Sequence, residues 1–150
     1  MAKLKILEEP DRALRLHSRP VTEITPRILR LLDDMLQTMR AADGVGLAAP
    51  QVGVLRRVVV VETEPGTVYE LINPEVIRAS GEQRGPEGCL SVPGRQGYVT
   101  RPMHVTVRAQ DREGQWREYT GEGLLARAFC HEIDHLDGKL YIDQAEMIEE

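Results

Sequence analysis

The chain has 150 residues, 41% of them hydrophobic, with 19 basic against 24 acidic side chains and a net charge of −5; a domain of that size buries roughly 68–70% of its unfolded surface without needing disulfides, which excludes global disorder. One Trp, four Tyr and one Phe, with an acidic balance, leave neither base-stacking platforms nor a phosphate-tracking surface, so nucleic acid is excluded as a specific ligand. The stretch from Met1 to Pro10 has no signal-peptide core and no apolar run reaches the ~20 residues that span a bilayer, so the expectation is a cytoplasmic protein with no membrane partner. There Cys89 and Cys130 stay reduced, which points to metal binding or catalysis rather than to a disulfide.

The spacing of Ile28, Leu31, Leu32, Met35, Leu36 and Met39 predicts an amphipathic helix over 25–43. Thr25 is its expected N-cap, Pro26 its first residue and Gly44 its left-handed terminator. A loop from Gly44 to Gly53 follows. Runs of β-branched residues at 57–63, 68–72, 76–78 and 104–109 predict strands, and 111–114 a turn into a returning strand at 115–120. No helical pattern separates them, so an antiparallel meander is expected. A second helix is expected from about Gly121–Gly123 to Asp137, stopped by Gly138. Leu125, Phe129, Ile133 and Leu136 form one face of it, and Leu124, Ala128, His131 and His135 a second; Cys130, Asp134 and Asp137 point a third way. A helix apolar on two sides belongs in the interior. The expected class is α+β: antiparallel β-sheets packed around a central helix that carries residues 131–135, with an additional N-terminal amphipathic helix. No repeat or linker divides the chain, so 1–150 is read as one domain.

His131-Glu132-Ile133-Asp134-His135 is an H-E-x-x-H pattern on a helix. Two imidazoles at i and i+4 stand one turn apart and can grip one ion, while Glu132 lies about 80° round the helix, off the ion but beside an open coordination position. That placement suits a general base; the bland alternative is a solvated or core-satisfied helix face. A catalytic site needs a third ligand. The metzincin spacing puts it at Tyr141, a poor donor, although Gly138 is in place. Glu146, Glu149 and Glu150 lie downstream with no room for a supporting helix. Upstream, Glu87-Gly88-Cys89-Leu90-Ser91 offers a thiol beside a flexible glycine, so Cys89 is favoured over the alternative of an ordinary buried thiol. Cys130 is expected to pack inside, and His17 and His104 to be structural. Gly44-Val45-Gly46-Leu47-Ala48-Ala49 matches G-x-G-x-x-[GA] only superficially, because a helix precedes it and Pro50 with a β-branched run follows. Such small residues let a backbone come close, and the Gln51 amide can hydrogen-bond a carbonyl oxygen that gains negative charge; a flexible connector with a surface Gln is the other reading.

Taken together, Gly44-Val45-Gly46-Leu47-Ala48-Ala49-Pro50-Gln51, Glu87-Gly88-Cys89-Leu90-Ser91 and His131-Glu132-Ile133-Asp134-His135 resemble, in order and separation, the three signature motifs of peptide deformylase, over nearly the full chain. The resemblance implies a single catalytic domain that removes the formyl group from N-formylmethionyl nascent peptides and releases formate. It implies one divalent ion, usually iron(II), with zinc, nickel and cobalt accommodated, on Cys89, His131 and His135. Glu132 would be the general acid/base, and the Gln51 side chain and Leu90 N–H the oxyanion donors, beside Gly46. Val45, Gly46, Glu87, Gly88, Leu124 and Ala128 would line the methionine pocket or hold the peptide backbone; Arg127, charged on that face, is left out. A monomer with transient ribosome association is implied, but several relatives have a longer basic terminal helix where this chain reads Gln144-Ala-Glu-Met-Ile-Glu-Glu150, so docking through that tail is not expected. The competing readings are a small H-E-x-x-H metalloendopeptidase and a non-catalytic metal-binding module.

Overall fold

Helix α1 (Pro26–Ala41) starts where the Thr25 hydroxyl accepts from the Ile28 N–H and Pro26 enters the first turn, a cap that contributes about 1 kcal/mol. In this computed structural model, which describes residues 2–148, the left-handed residue after α1 is Asp43, φ 57, rather than Gly44. Gly44 is needed for space instead, since a Cβ there would lie 2.7 Å from Leu90 Cδ1. The loop expected over 44–53 is more regular than its composition suggests. Strand β1 (Gly46–Ala48) pairs antiparallel with β2 (Val58–Glu64), and a 3-10 turn at Ala49–Val52 closes on Gly53 at φ +83.

Strand β3 (Thr67–Ser80) joins the runs at 68–72 and 76–78 into one element, bent by register shifts between Ile72 and Glu75 and between Val76 and Arg78, with Asn73 at φ 54. The expected meander is then interrupted. A hairpin of β4 (Gln83–Cys89) and β5 (Val92–Arg101) intervenes before β6 (His104–Gln110) and β7 (Trp116–Glu122) resume the first sheet. The result is a five-stranded antiparallel sheet, β1-β2-β3-β6-β7, and a second sheet in which β4 and β5 are joined by β8 (Glu146–Met147). The hairpin escaped the sequence reading because Gly85, Pro86, Gly88, Pro93, Gly94 and Gly97 depress strand propensity; its ladder and the packing of Val92 and Val99 on Tyr141 override that.

Helix α2 (Leu124–Leu136) lies against the sheet face opposite α1. Alternation along β2 explains how: Val58 and Val60 pack with Leu32, Met35 and Met39 of α1, whereas Val59 and Val61 pack with Phe129 and Leu136 of α2. All four valines are fully buried. On its other side α2 meets the hairpin, where the Arg127 guanidinium donates to the Val99 carbonyl. Beyond α2, Gly138 takes φ +72, and a Cβ there would collide with the Arg15 carbonyl. The architecture is α+β, with antiparallel sheets and two helices. Among the described residues no helix is long and apolar enough to cross a membrane.

Candidate metal centre and active-site cavity

One donor atom each from Cys89, His131 and His135 lies within 4.8 Å of the others. Their elements explain the convergence. Cys89 ends β4, and the two histidines stand one turn apart on α2, whose Arg127 side chain bonds Glu87 of that strand. Cys89 Sγ is 3.4 Å from His135 Nε2. The Nδ1 of His131 lies 2.7 Å from Glu87 Oε1, so an ionised Glu87 accepts the Nδ1 proton and leaves Nε2 free as a ligand. A thiolate with two imidazoles is a fitting donor set for iron, zinc, nickel or cobalt, and these residues fit a single divalent ion.

Glu87 is itself held from three sides. Arg101 donates to both of its oxygens at 2.9 Å, Arg127 donates to Oε2 at 2.6 Å, and Arg101 also reaches Asp134 at 2.7 Å. The side chains of Glu87, Arg101 and Arg127 are 3%, 5% and 8% exposed, so these are buried charges that must balance one another. Burial opposes the Glu87 charge, but the bonds from Arg101 and His131 win and hold its carboxyl at about 2. Burial likewise opposes charge on His131, yet Glu132, Cys89 and Glu87 raise it to about 10. Burial, then the neighbouring His131, pushes His135 well below its usual value.

Glu132 is buried beside this cluster, its Oε2 4.0 Å from His131 Nε2 and its Oε1 without a hydrogen-bond partner among the described residues. Burial pushes its carboxyl up to about 7, the range in which a carboxylate can both accept and return a proton near neutral pH. Gly46 makes room for it, since a Cβ there would stand 2.6 Å from Glu132 Oε2. Gln51 is held on the same side. Its Oε1 accepts from the Ala48 N–H at 2.9 Å and its Nε2 donates to Ser91 Oγ at 3.0 Å, 3.6 Å from Cys89 Sγ. Among the described residues the Leu90 N–H donates to no protein acceptor.

A cavity of about 810 Å³ opens over these groups, lined by Val45, Gly46, Gln51, Glu87, Gly88, Cys89, Leu90, Leu124, Ala128, His131 and Glu132. Every residue named from sequence for the site except His135 lines it, and His135 lies beneath. Val45 and Leu124 are exposed on its walls. Glu87 lines the cavity with both its oxygens taken up by Arg101, Arg127 and His131. Three further residues belong to the site. Arg127 lines the cavity; its position on an apolar helix face was the signal. Arg101 gave none. Tyr141, considered as a ligand from the metzincin spacing, stacks on the His131 ring with centroids 5.8 Å apart and donates to the Arg95 carbonyl. Glu146 pairs with Arg84 at the surface, and Glu149 and Glu150 lie outside the described residues. Cys130 is turned toward a separate cavity with Arg101 and Asp134, its thiol pushed up to about 11 by burial. His17 and His104 pair with Asp137 and Glu122 away from the centre.

Residues 3–150 match the family described as polypeptide deformylase. A peptide deformylase of Lachnoclostridium phytofermentans is 57% identical over 146 residues, 96% of this chain and 90% of that protein. One of Carboxydothermus hydrogenoformans is 52% identical over 148 residues, 99% of this chain and 97% of that protein. Among solved structures, a peptide deformylase from Legionella pneumophila superposes with a TM-score of 0.93 at 46% identity, covering 95% of this chain and 86% of that one. A peptide deformylase from Synechococcus elongatus in complex with actinonin gives 0.92 at 40% identity, covering 97% and 80%. Sequence and backbone agree along nearly the whole length, and the chain belongs to the polypeptide deformylase family.

Proposed function

We propose that this metal-dependent deformylase acts on N-formylmethionyl nascent peptides with Cys89, His131 and His135 holding its single divalent ion and Glu132 moving the proton. The observation that carries the assignment of roles is the meeting of a three-donor cluster with a buried carboxyl at about 7 on the wall of one cavity. When bound, the ion supplies Lewis acidity, lowering the pKa of water and polarising the formyl carbonyl. Glu132 takes a proton from the attacking water and delivers it to the leaving amine. The water oxygen bonds to the formyl carbon, the carbon–nitrogen bond breaks, and formate and a free amino terminus result. Gln51, its amide fixed by Ala48 and Ser91, and the Leu90 N–H donate to the oxyanion, each contributing about 3 kcal/mol to the transition state. Val45, Gly46, Gly88, Leu124 and Ala128 contact the methionine side chain or the peptide backbone, and Glu87 acts through His131.

Iron(II) is the proposed ion. Thiolate and imidazole donors support it, and the same donors accept zinc, nickel or cobalt. Residues 1–150 act as one catalytic domain, as a monomer in the cytoplasm, meeting nascent chains at the ribosome transiently and without nucleic-acid specificity. The relatives, all named peptide deformylase, lend no support to an endopeptidase or a structural metal module. Formyl-Met-Ala-Ser, acetyl-Met-Ala-Ser and an internally blocked peptide test the reading. Formate released only from the first, with every peptide bond intact, is the expected result; peptide-bond cleavage overturns it. Glu132→Ala is expected to keep stoichiometric metal while losing about 10²–10⁴-fold in rate, and wild-type activity in that variant refutes its role. Elemental analysis after anaerobic purification identifies the ion.

A further inference from the structure

Five residues of α2 line the cavity, Leu124, Arg127, Ala128, His131 and Glu132, and the first four stand at i, i+3, i+4 and i+7 on one helical stripe. Leu124, 54% exposed, stands at one end and His131 at the other. Arg127 interrupts this stripe with a buried charge. Its Nη1 donates to Glu87 Oε2 at 2.6 Å, to the Val99 carbonyl at 3.0 Å and to the Gly85 carbonyl at 3.4 Å. Its Nε and Nη2 donate to no protein acceptor among the described residues, and the guanidinium lies against Gly85, where a Cβ would come within 3.2 Å of Nη2. Glu87 therefore balances the charge but leaves the donor capacity of a five-donor fork partly unused.

We propose that Arg127 is a specificity-determining residue that makes one wall of the methionine pocket a hydrogen-bond donor, so that the enzyme deformylates peptides beginning with N-formylmethionine sulfoxide as well as N-formylmethionine. A thioether is a weak acceptor and gains little from such a wall. Oxidation turns that flexible apolar side chain into a polar one with a strong acceptor oxygen. In an all-apolar pocket this oxygen would lose its water without replacement, at roughly tenfold or more in reactivity. Arg127 replaces the water with unpaired N–H donors. The inference rests on the deformylase reading, and formate release from formyl-Met-Ala-Ser tests that reading separately.

The test compares kcat/KM for formyl-Met(O)-Ala-Ser with that for formyl-Nle-Ala-Ser, whose side chain has the length of methionine and no acceptor. Taking the ratio cancels any general loss from disturbing Glu87. In the wild-type protein the ratio is expected to lie within about tenfold of unity, and a value below about one in a hundred overturns the proposal. In Arg127→Met the ratio is expected to fall at least tenfold further; a ratio within twofold of wild type overturns it. Arg127→Lys, which keeps a buried cation beside Glu87 and one donor group, serves if the methionine variant does not fold. It is expected to hold the ratio above that of an apolar wall, near the wild-type value, and a sulfoxide ratio collapsed below one in a hundred in the lysine variant refutes donation from this position.

Discussion

Replacing Glu87 with Gln alters one atom at the point where three donors converge. In the folded protein Oε1 faces His131 Nδ1 at 2.7 Å and accepts from Arg101 at 2.9 Å, while Oε2 accepts from Arg101 at 2.9 Å and from Arg127 at 2.6 Å. A glutamine keeps one oxygen. Turned toward His131, it presents an amide NH₂ to two guanidinium donors; turned the other way, it confronts the His131 N–H instead. Either way a buried positive charge loses its partner among side chains less than a tenth exposed. Removing one member of a buried ion pair costs about 3–5 kcal/mol, a large share of a typical 5–15 kcal/mol stability. At about 2–4 °C per kcal/mol for a chain of this length, Tm should fall by roughly 6–20 °C. The second consequence concerns the ion, because without an ionised acceptor the His131 tautomer is no longer set and metal affinity should drop about 10–100-fold. Urea unfolding of the metal-free protein and competition against a chelating dye measure the two effects. A Glu87→Gln protein within about 0.5 kcal/mol of wild type, with unchanged metal affinity, would refute the reasoning.

The same carboxyl sets an acid limit. Held at about 2 against an ordinary 4.5, Glu87 binds protons more weakly in the folded than in the unfolded protein, so its stabilisation is complete above about 4.5 and disappears as pH falls toward 2. Urea midpoints taken through that window should decline less steeply in Glu87→Gln than in wild type; parallel declines would contradict the assignment. Gly46→Ala puts a methyl group 2.6 Å from Glu132 Oε2, so the carboxyl must move, and kcat should fall about 10²-fold or more with metal content unchanged. Wild-type turnover in that variant would show that Glu132 has slack. Cys89→Ser should strip or sharply weaken metal binding, whereas Cys130→Ser, altering a thiol that faces the other cavity, should keep it; elemental analysis of both proteins decides, and the reverse pattern would remove Cys89 from the ligand set.

Legibility followed the range of the interaction. The apolar period from Ile28 to Met39 and the Thr25–Pro26 start predicted α1 to within two residues at its far end, because a helix is written in neighbours three and four positions apart. The four valines of β2 were equally plain. The hairpin β4–β5 was not, since its glycines and prolines carry no alternating pattern, and only pairing across it and the contact with Tyr141 make it a strand pair. The left-handed turn fell on Asp43 rather than Gly44 for a similar reason: Gly44 is small on account of Leu90, forty-six positions away in sequence and visible only in space.

By itself the sequence determined the two helices, the valine-rich strand and the placing of two imidazoles one turn apart with a carboxylate between them in sequence, since each depends on local periodicity. Tertiary structure alone decided that Cys89 reaches His135 across a separation of 46 residues, that Glu87 reaches His131 across 44, and that Arg101 and Arg127 neutralise Glu87 from either side. Buried charges have to find partners wherever the fold brings them together, and no repeat along the chain announces which those will be.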